Sequence, residues 1–174
     1  MVLDKKGFTL IELLATMVIL AAIMVIAVPN VMGILNNSKA NAYVDDAKKL
    51  LSLAQYKLRG DPNLWPANNE CIVMTLSYLD NSEFGNAPNG GSYDKTGSYV
   101  LIKRVGSGEV AKFDYYVTLD EKMDAGHRGI KNKSESELNS NDASDLVENG
   151  SGSGLLASSD AASQKSCSIK NKYL

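Results

Sequence analysis

Glu12 faces the most demanding chemistry in this chain. It sits between Ile11 and Leu13, it follows Lys5-Lys6-Gly7-Phe8-Thr9-Leu10, and the next charged side chain is Lys39. A carboxylate held in hydrocarbon costs roughly 2.5 to 3.5 kcal/mol on insertion scales, so it calls either for a partner or for a place at a membrane surface, in reach of headgroups.

The other reactive side chains are sparse. Cys71 and Cys167 would close a loop of nearly a hundred residues if bonded, which the chain-entropy model credits with roughly 4 to 5 kcal/mol. Two buried, reduced thiols are the alternative. With no CxxC and one histidine, the chain lacks the ligands of a zinc site. That histidine, His127 in Gly126-His127-Arg128-Gly129, has no nucleophile in a recognised context and reads as an exposed loop residue. Asp120, Glu121 and Asp124 are close in sequence, but they do not follow a calcium-binding helix–loop–helix pattern and read as an acidic surface turn. No catalytic, metal or cofactor residue is assigned, so the chain reads as a protein without enzymatic activity.

The elements that position these groups begin with composition. The 174 residues suit one ordinary domain, and a net charge of -2 spread over both signs leaves no footprint for nucleic acid. The hydrophobic fraction of 44% is ordinary but is concentrated in the first sixty residues. Residues 13–35 are apolar apart from Thr16, Pro29, Asn30 and Gly33, long enough to cross a hydrocarbon core that needs about 20 helical residues. Lys5 and Lys6 before it predict a cytoplasmic N-terminus and an outward C-terminal part. Pro29 removes a donor and clashes with the carbonyl of Val25, and Gly33 weakens the next turn, so a kink or local melting is expected there.

Past Asn36-Asn37-Ser38 the pattern turns amphipathic: Ala40, Val44, Ala47, Leu51, Ala54 and Leu58 recur at spacings of three and four. This half must bury its stripe, and packing on the chain's own sheet is the expected use. Gly60-Asp61-Pro62 ends the helix. Residues 98–105 and 110–119, rich in β-branched and aromatic side chains and separated by Gly106-Ser107-Gly108-Glu109, predict a hairpin. Residues 71–76 fit a strand or a short helix. Ser134-x-x-Glu137 predicts a capped helix between Ser134 and Asn149, and residues 151–168, rich in serine, glycine and alanine, predict an exposed loop.

Lys5-Lys6-Gly7-Phe8-Thr9-Leu10-Ile11-Glu12-Leu13-Leu14 resembles the processing motif of type IV prepilins: a basic leader ending in glycine, then phenylalanine, then a glutamate four residues on. The resemblance implies an α+β pilin fold, a long N-terminal helix packed on an antiparallel sheet. It divides the chain into a leader, residues 1–7, a transmembrane and filament-core helix, residues 8–38, and an amphipathic half-helix with its head, residues 39–174. It implies cleavage between Gly7 and Phe8 by a membrane-embedded prepilin peptidase, N-methylation of the new Phe8 amine, and retention of the apolar segment. An ordinary secretory signal is cut after its apolar core instead. The Phe8 amine would stand about 6 Å along the axis from Glu12, and in the family this glutamate neutralises the amine of a neighbouring subunit. The segment around Pro29 and Gly33 would lose helicity on packing.

The partners implied are further copies of the chain, the peptidase, the inner-membrane assembly machinery and, before assembly, the membrane itself. The implied location is the cytoplasmic membrane with the head outside, then a surface pilus. A major pilin is the leading reading. A pseudopilin of a type II secretion or DNA-uptake machine, and an exported protein on an uncleaved anchor, are the alternatives.

Overall fold

A computed structural model describes residues 8–79, 84–106, 112–124, 126–150 and 154–174. The chain divides into two compact units at Asn37/Ser38. Helix α1 spans Leu10–Gly60, and from Ala40 to Leu58 its apolar stripe is buried. All six stripe positions expected from spacing are in the core, joined by Tyr43 and Leu50. The helix stops where glycine and proline predict. Asp61 then caps a short 3-10 turn, Pro62–Leu64, by accepting from the Asn63 backbone N–H at 2.9 Å. Trp65 fastens this end by donating its indole N–H to the Leu58 carbonyl at 3.0 Å.

The remaining elements are β1 (Glu70–Thr75), α2 (Leu76–Leu79), β2 (Ser92–Tyr93), β3 (Tyr99–Val105), β4 (Lys112–Met123), β5 (Gly126–Ser134), α3 (Glu135–Ser140), α4 (Ala143–Leu146), β6 (Val147–Gly150), α5 (Ser158–Gln164) and β7 (Ser168–Tyr173). Among the described residues they build a seven-stranded sheet in the order β6-β5-β4-β3-β1-β7, with β2 beside β4. Every pairing is antiparallel except β1 with β7. The α+β architecture is thus as expected, with one parallel pair where the chain returns to lie beside β1.

Residues 71–76 resolve as strand, then the start of α2. Their apolar run is continuous because both faces of β1 are covered. Ile72 and Met74 join Val100, Ile102, Val117, Leu119 and Ile130 in the core built on the second half of α1. Cys71 and Val73 turn the other way, with Tyr99 and Leu101, toward Ala161 and Ala162 of α5. The expected hairpin is β3–β4, in register from Tyr99↔Thr118 to Val105↔Lys112, and β4 runs four residues beyond its expected end. The turn residues 107–111 lie outside the described residues.

Two expectations for the C-terminal third are corrected. The capped helix is real but short: Ser134 and Glu137 form a reciprocal capping box on α3, after which Asp142 caps a separate α4 by accepting from Ser144 N–H. Asn141 and Asp142 interrupt the helix because short polar side chains compete for backbone donors, and Val147–Gly150 then pairs with β5 as a strand. The serine- and alanine-rich stretch holds α5, whose Ala161 and Ala162 are buried. Small side chains there let a helix lie close on the sheet.

Candidate assembly segment and the head that carries it

The N-terminal segment opens with a second capping box. Glu12 Oε2 accepts from both the backbone N–H and the hydroxyl of Thr9, each at 2.9 Å, while the Glu12 N–H donates to Thr9 Oγ1 at 3.4 Å. Thr9 and Glu12 therefore satisfy donors at the start of α1 reciprocally. Sequence reasoning took Glu12 as a group awaiting a partner and passed over Thr9, although Thr9-x-x-Glu12 before an apolar run is the pattern of such a box. Phe8 is exposed immediately before it. Gly7, the other residue of the expected cleavage site, lies outside the described residues.

Between Glu12 and Ser38 the helix buries nothing. From Phe8 to Leu35 the large apolar side chains are between 49% and 85% exposed. This stretch is long and apolar enough to cross a membrane. Its few polar side chains bond to their own helix, with the Thr16 hydroxyl donating to the Leu13 carbonyl at 2.8 Å and the Asn30 amide to the Ile26 carbonyl at 3.2 Å. A segment that meets its own hydrogen-bonding needs is compatible with hydrocarbon and with the interior of a helix bundle. Residues 29–33 are helical in the single chain, so the expected melting is not present in it. A Cβ built on Gly33 meets no atom within 4 Å, so nothing in this chain requires glycine there.

In the head, the second half of α1 is held by polar bonds as well as apolar contact. Tyr43 donates its hydroxyl to the buried Glu121 carboxylate, which also accepts from Gly91 N–H at 2.9 Å and from the Asn89 amide at 3.2 Å. Tyr93 donates to Asp46 at 2.6 Å, and burial, together with the Asp46 carboxylate, pushes its phenol far above the usual 10, so it remains a donor. Gln55 donates to Glu135 at 3.1 Å.

Cys71 and Cys167 form a disulfide with a Cα–Cα distance of 5.8 Å. It joins the start of β1 to the residue before β7, at the parallel pairing of Glu70 with Ser168.

The expectation for His127 is corrected. It lies on β5, only 6% exposed, with Nδ1 3.0 Å from Asp120 Oδ1. The neighbouring glycine permits a close strand crossing: Gly129 has φ +156°, and a Cβ there would run into the Leu119 carbonyl oxygen. Asp120 is buried too, and that burial raises its carboxyl above the usual 3.8, opposed by the bond to His127. Asp120 and Glu121 are therefore interior residues, bonded to His127 and Tyr43, and not part of a surface turn. Among the described residues no three His, Cys, Asp or Glu side chains are grouped to hold a metal.

Residues 3–28 match the family model of the prokaryotic N-terminal methylation motif. Neither the curated proteins nor the solved structures contain a match to the chain. The motif is the class III signal peptide of type IV pilins and it leads directly into the long apolar helix. It implies processing by a peptidase, and with the α+β head it points to a structural subunit. The chain carries the N-terminal methylation motif at residues 3–28 on a long apolar helix that fits membrane anchoring, and this motif supports a type IV pilin- or pseudopilin-like protein.

Proposed function

We propose that this chain is the major structural subunit of an extracellular type IV pilus, cut between Gly7 and Phe8, methylated at Phe8 and polymerised through its N-terminal helix. The observation that carries the reading is the pairing of the methylation motif at residues 3–28 with a helical stretch that leaves its apolar side chains exposed. An exposed surface of that extent requires another solvent or further copies of itself. Lipid serves before assembly, and neighbouring helices serve afterwards.

Glu12 sets the register. In the single chain its carboxylate rests on Thr9. In the filament it would exchange this contact for the cationic Phe8 amine of a neighbour. Removing one member of a buried ion pair costs about 3 to 5 kcal/mol, so a misaligned subunit would be rejected. Melting near Pro29 and Gly33 belongs to the packed state, where Gly33 would allow close approach of another helix. Motility, adhesion or aggregation would be properties of the whole fibre.

The test is the composition of long fibres sheared from the cell surface. A major pilin makes up most of their mass. Fibres made chiefly of another protein, with this chain in short membrane-bound assemblies, would contradict the reading in favour of a pseudopilin.

A further inference from the structure

A polymer built by repeating one contact needs two different, complementary patches on each subunit. The head carries such a pair on opposite edges of its sheet. One lies where β5 leaves β4. Their pairing begins at Tyr116↔Ser134, so residues 112–115 of β4 have β3 on one side and, among the described residues, no strand on the other. There Phe113, Tyr115 and Tyr116, with Asp114 and Glu135, line a depression of about 620 Å³ between β4 and α3. Glu137 at its wall is committed to Ser134, and Lys165 lies 4.2 Å over the Tyr116 ring. Asp114 and Glu135 are exposed. The depression is thus aromatic in its floor and acidic in balance.

The other edge is β7, whose one strand partner among the described residues is β1. Its exposed side chains include Lys170 and Lys172. Lys170 reaches Glu70 at 3.8 Å on the surface, while Lys172 makes no ion pair among the described residues. Lys57 adds a third ammonium at this edge, 5.7 Å over the Tyr78 ring, which packs on Tyr173. Since β4 and β1 are both antiparallel to β3, and β7 is parallel to β1, β4 and β7 run in the same direction. A second head shifted across the sheet therefore presents its basic β7 edge to the acidic, open side of β4.

We propose that neighbouring heads meet in this way: Lys170 and Lys172 of one subunit enter the depression beside β4 and α3 of the next and pair with Asp114 and Glu135. Lysine suits the site because its methylene stem covers aromatic rings while its ammonium reaches the carboxylates. This contact rests on the filament reading and names the head surfaces that the helix bundle alone leaves unassigned. It orients subunits through charge, and added salt weakens it.

Sheared native fibres treated with a carbodiimide, which joins only amines and carboxylates already in contact, test it. The expected product is a covalent dimer whose linked peptides join Lys170 or Lys172 to Asp114 or Glu135, with the intrachain Lys170–Glu70 link as an internal control. Reversing both lysines (K170E with K172E) is expected to lower fibre recovery by more than about tenfold, and adding D114K with E135K to the same chain is expected to restore it. Fibres of chains beginning at Phe8 whose dimers lack these links, or fibres unaffected by the reversal, overturn the contact and leave the filament reading intact. An uncut leader and no chain in sheared fibres overturn both.

Discussion

The two halves of α1 obey the same local rules and meet opposite fates. From Ala40 to Leu58 the helix presents a stripe of apolar residues, and every one of them is buried in the core of the head. From Phe8 to Leu35 it is apolar all round and its large side chains are exposed. A helix that is hydrophobic on all faces belongs in a membrane or among other helices. The contrast separates the part of the molecule that folds from the part that assembles. Stability should respond to the first, and polymerisation to the second.

The largest effect expected is at the assembly end. Glu12→Gln keeps the size of the side chain and removes its charge; fibre recovery should fall more than about tenfold, given the roughly 3 to 5 kcal/mol attached to an orphaned buried charge, while cleavage at Phe8 and head stability stay unchanged. Wild-type fibre yield would remove Glu12 from assembly.

The disulfide acts on the head alone. Replacing Cys71 and Cys167 with serine should lower the unfolding free energy by about 4 to 5 kcal/mol for a separation of 96 residues, read by urea unfolding of the detergent-solubilised chain. Leu50→Ala, in the fully buried part of α1, should cost about 2 to 5 kcal/mol. The matching change Leu20→Ala in the exposed half should leave head stability within about 0.5 kcal/mol and register in fibre yield. Equal effects at the two positions would dissolve the distinction between the halves.

The smallest effect concerns α3. Ser134→Ala removes the cap and should cost about 1 kcal/mol. The Ser134 backbone N–H, foremost, and then its hydroxyl hold the Glu137 carboxyl below its usual 4.5. Its contribution is therefore present above pH 4.5 and is lost as pH falls through the lowered value. The Ser134→Ala variant should show a shallower acid slope in the same unfolding assay.

What could be read from the sequence follows the range of the interactions involved. The amphipathic stripe, the stop at Gly60-Asp61-Pro62, the β3–β4 hairpin and the box at Ser134 are written in residues a few positions apart, and the structure contains them. The parallel return of β7 and the packing of α5 depend on partners distant in the chain, so serine and alanine there suggested a loop. The burial of His127 has no local signal either, since it depends on Asp120 seven residues away on the paired strand and on the close approach that Gly129 allows. In the candidate segment, Thr9-x-x-Glu12 has the spacing of a capping box, a signal that lies within four residues of sequence. The acidic and basic edges had no linear signature, since only strand order places Asp114 at one edge of the sheet and Lys172 at the other.

N-terminal mass spectrometry of protein sheared from the cell surface bears most directly on the proposal that the apolar helix is kept and used for assembly. A terminus at methylated Phe8 is the predicted result. An intact leader ahead of Phe8, or a terminus beyond Ala27 that leaves the apolar segment behind, would contradict it.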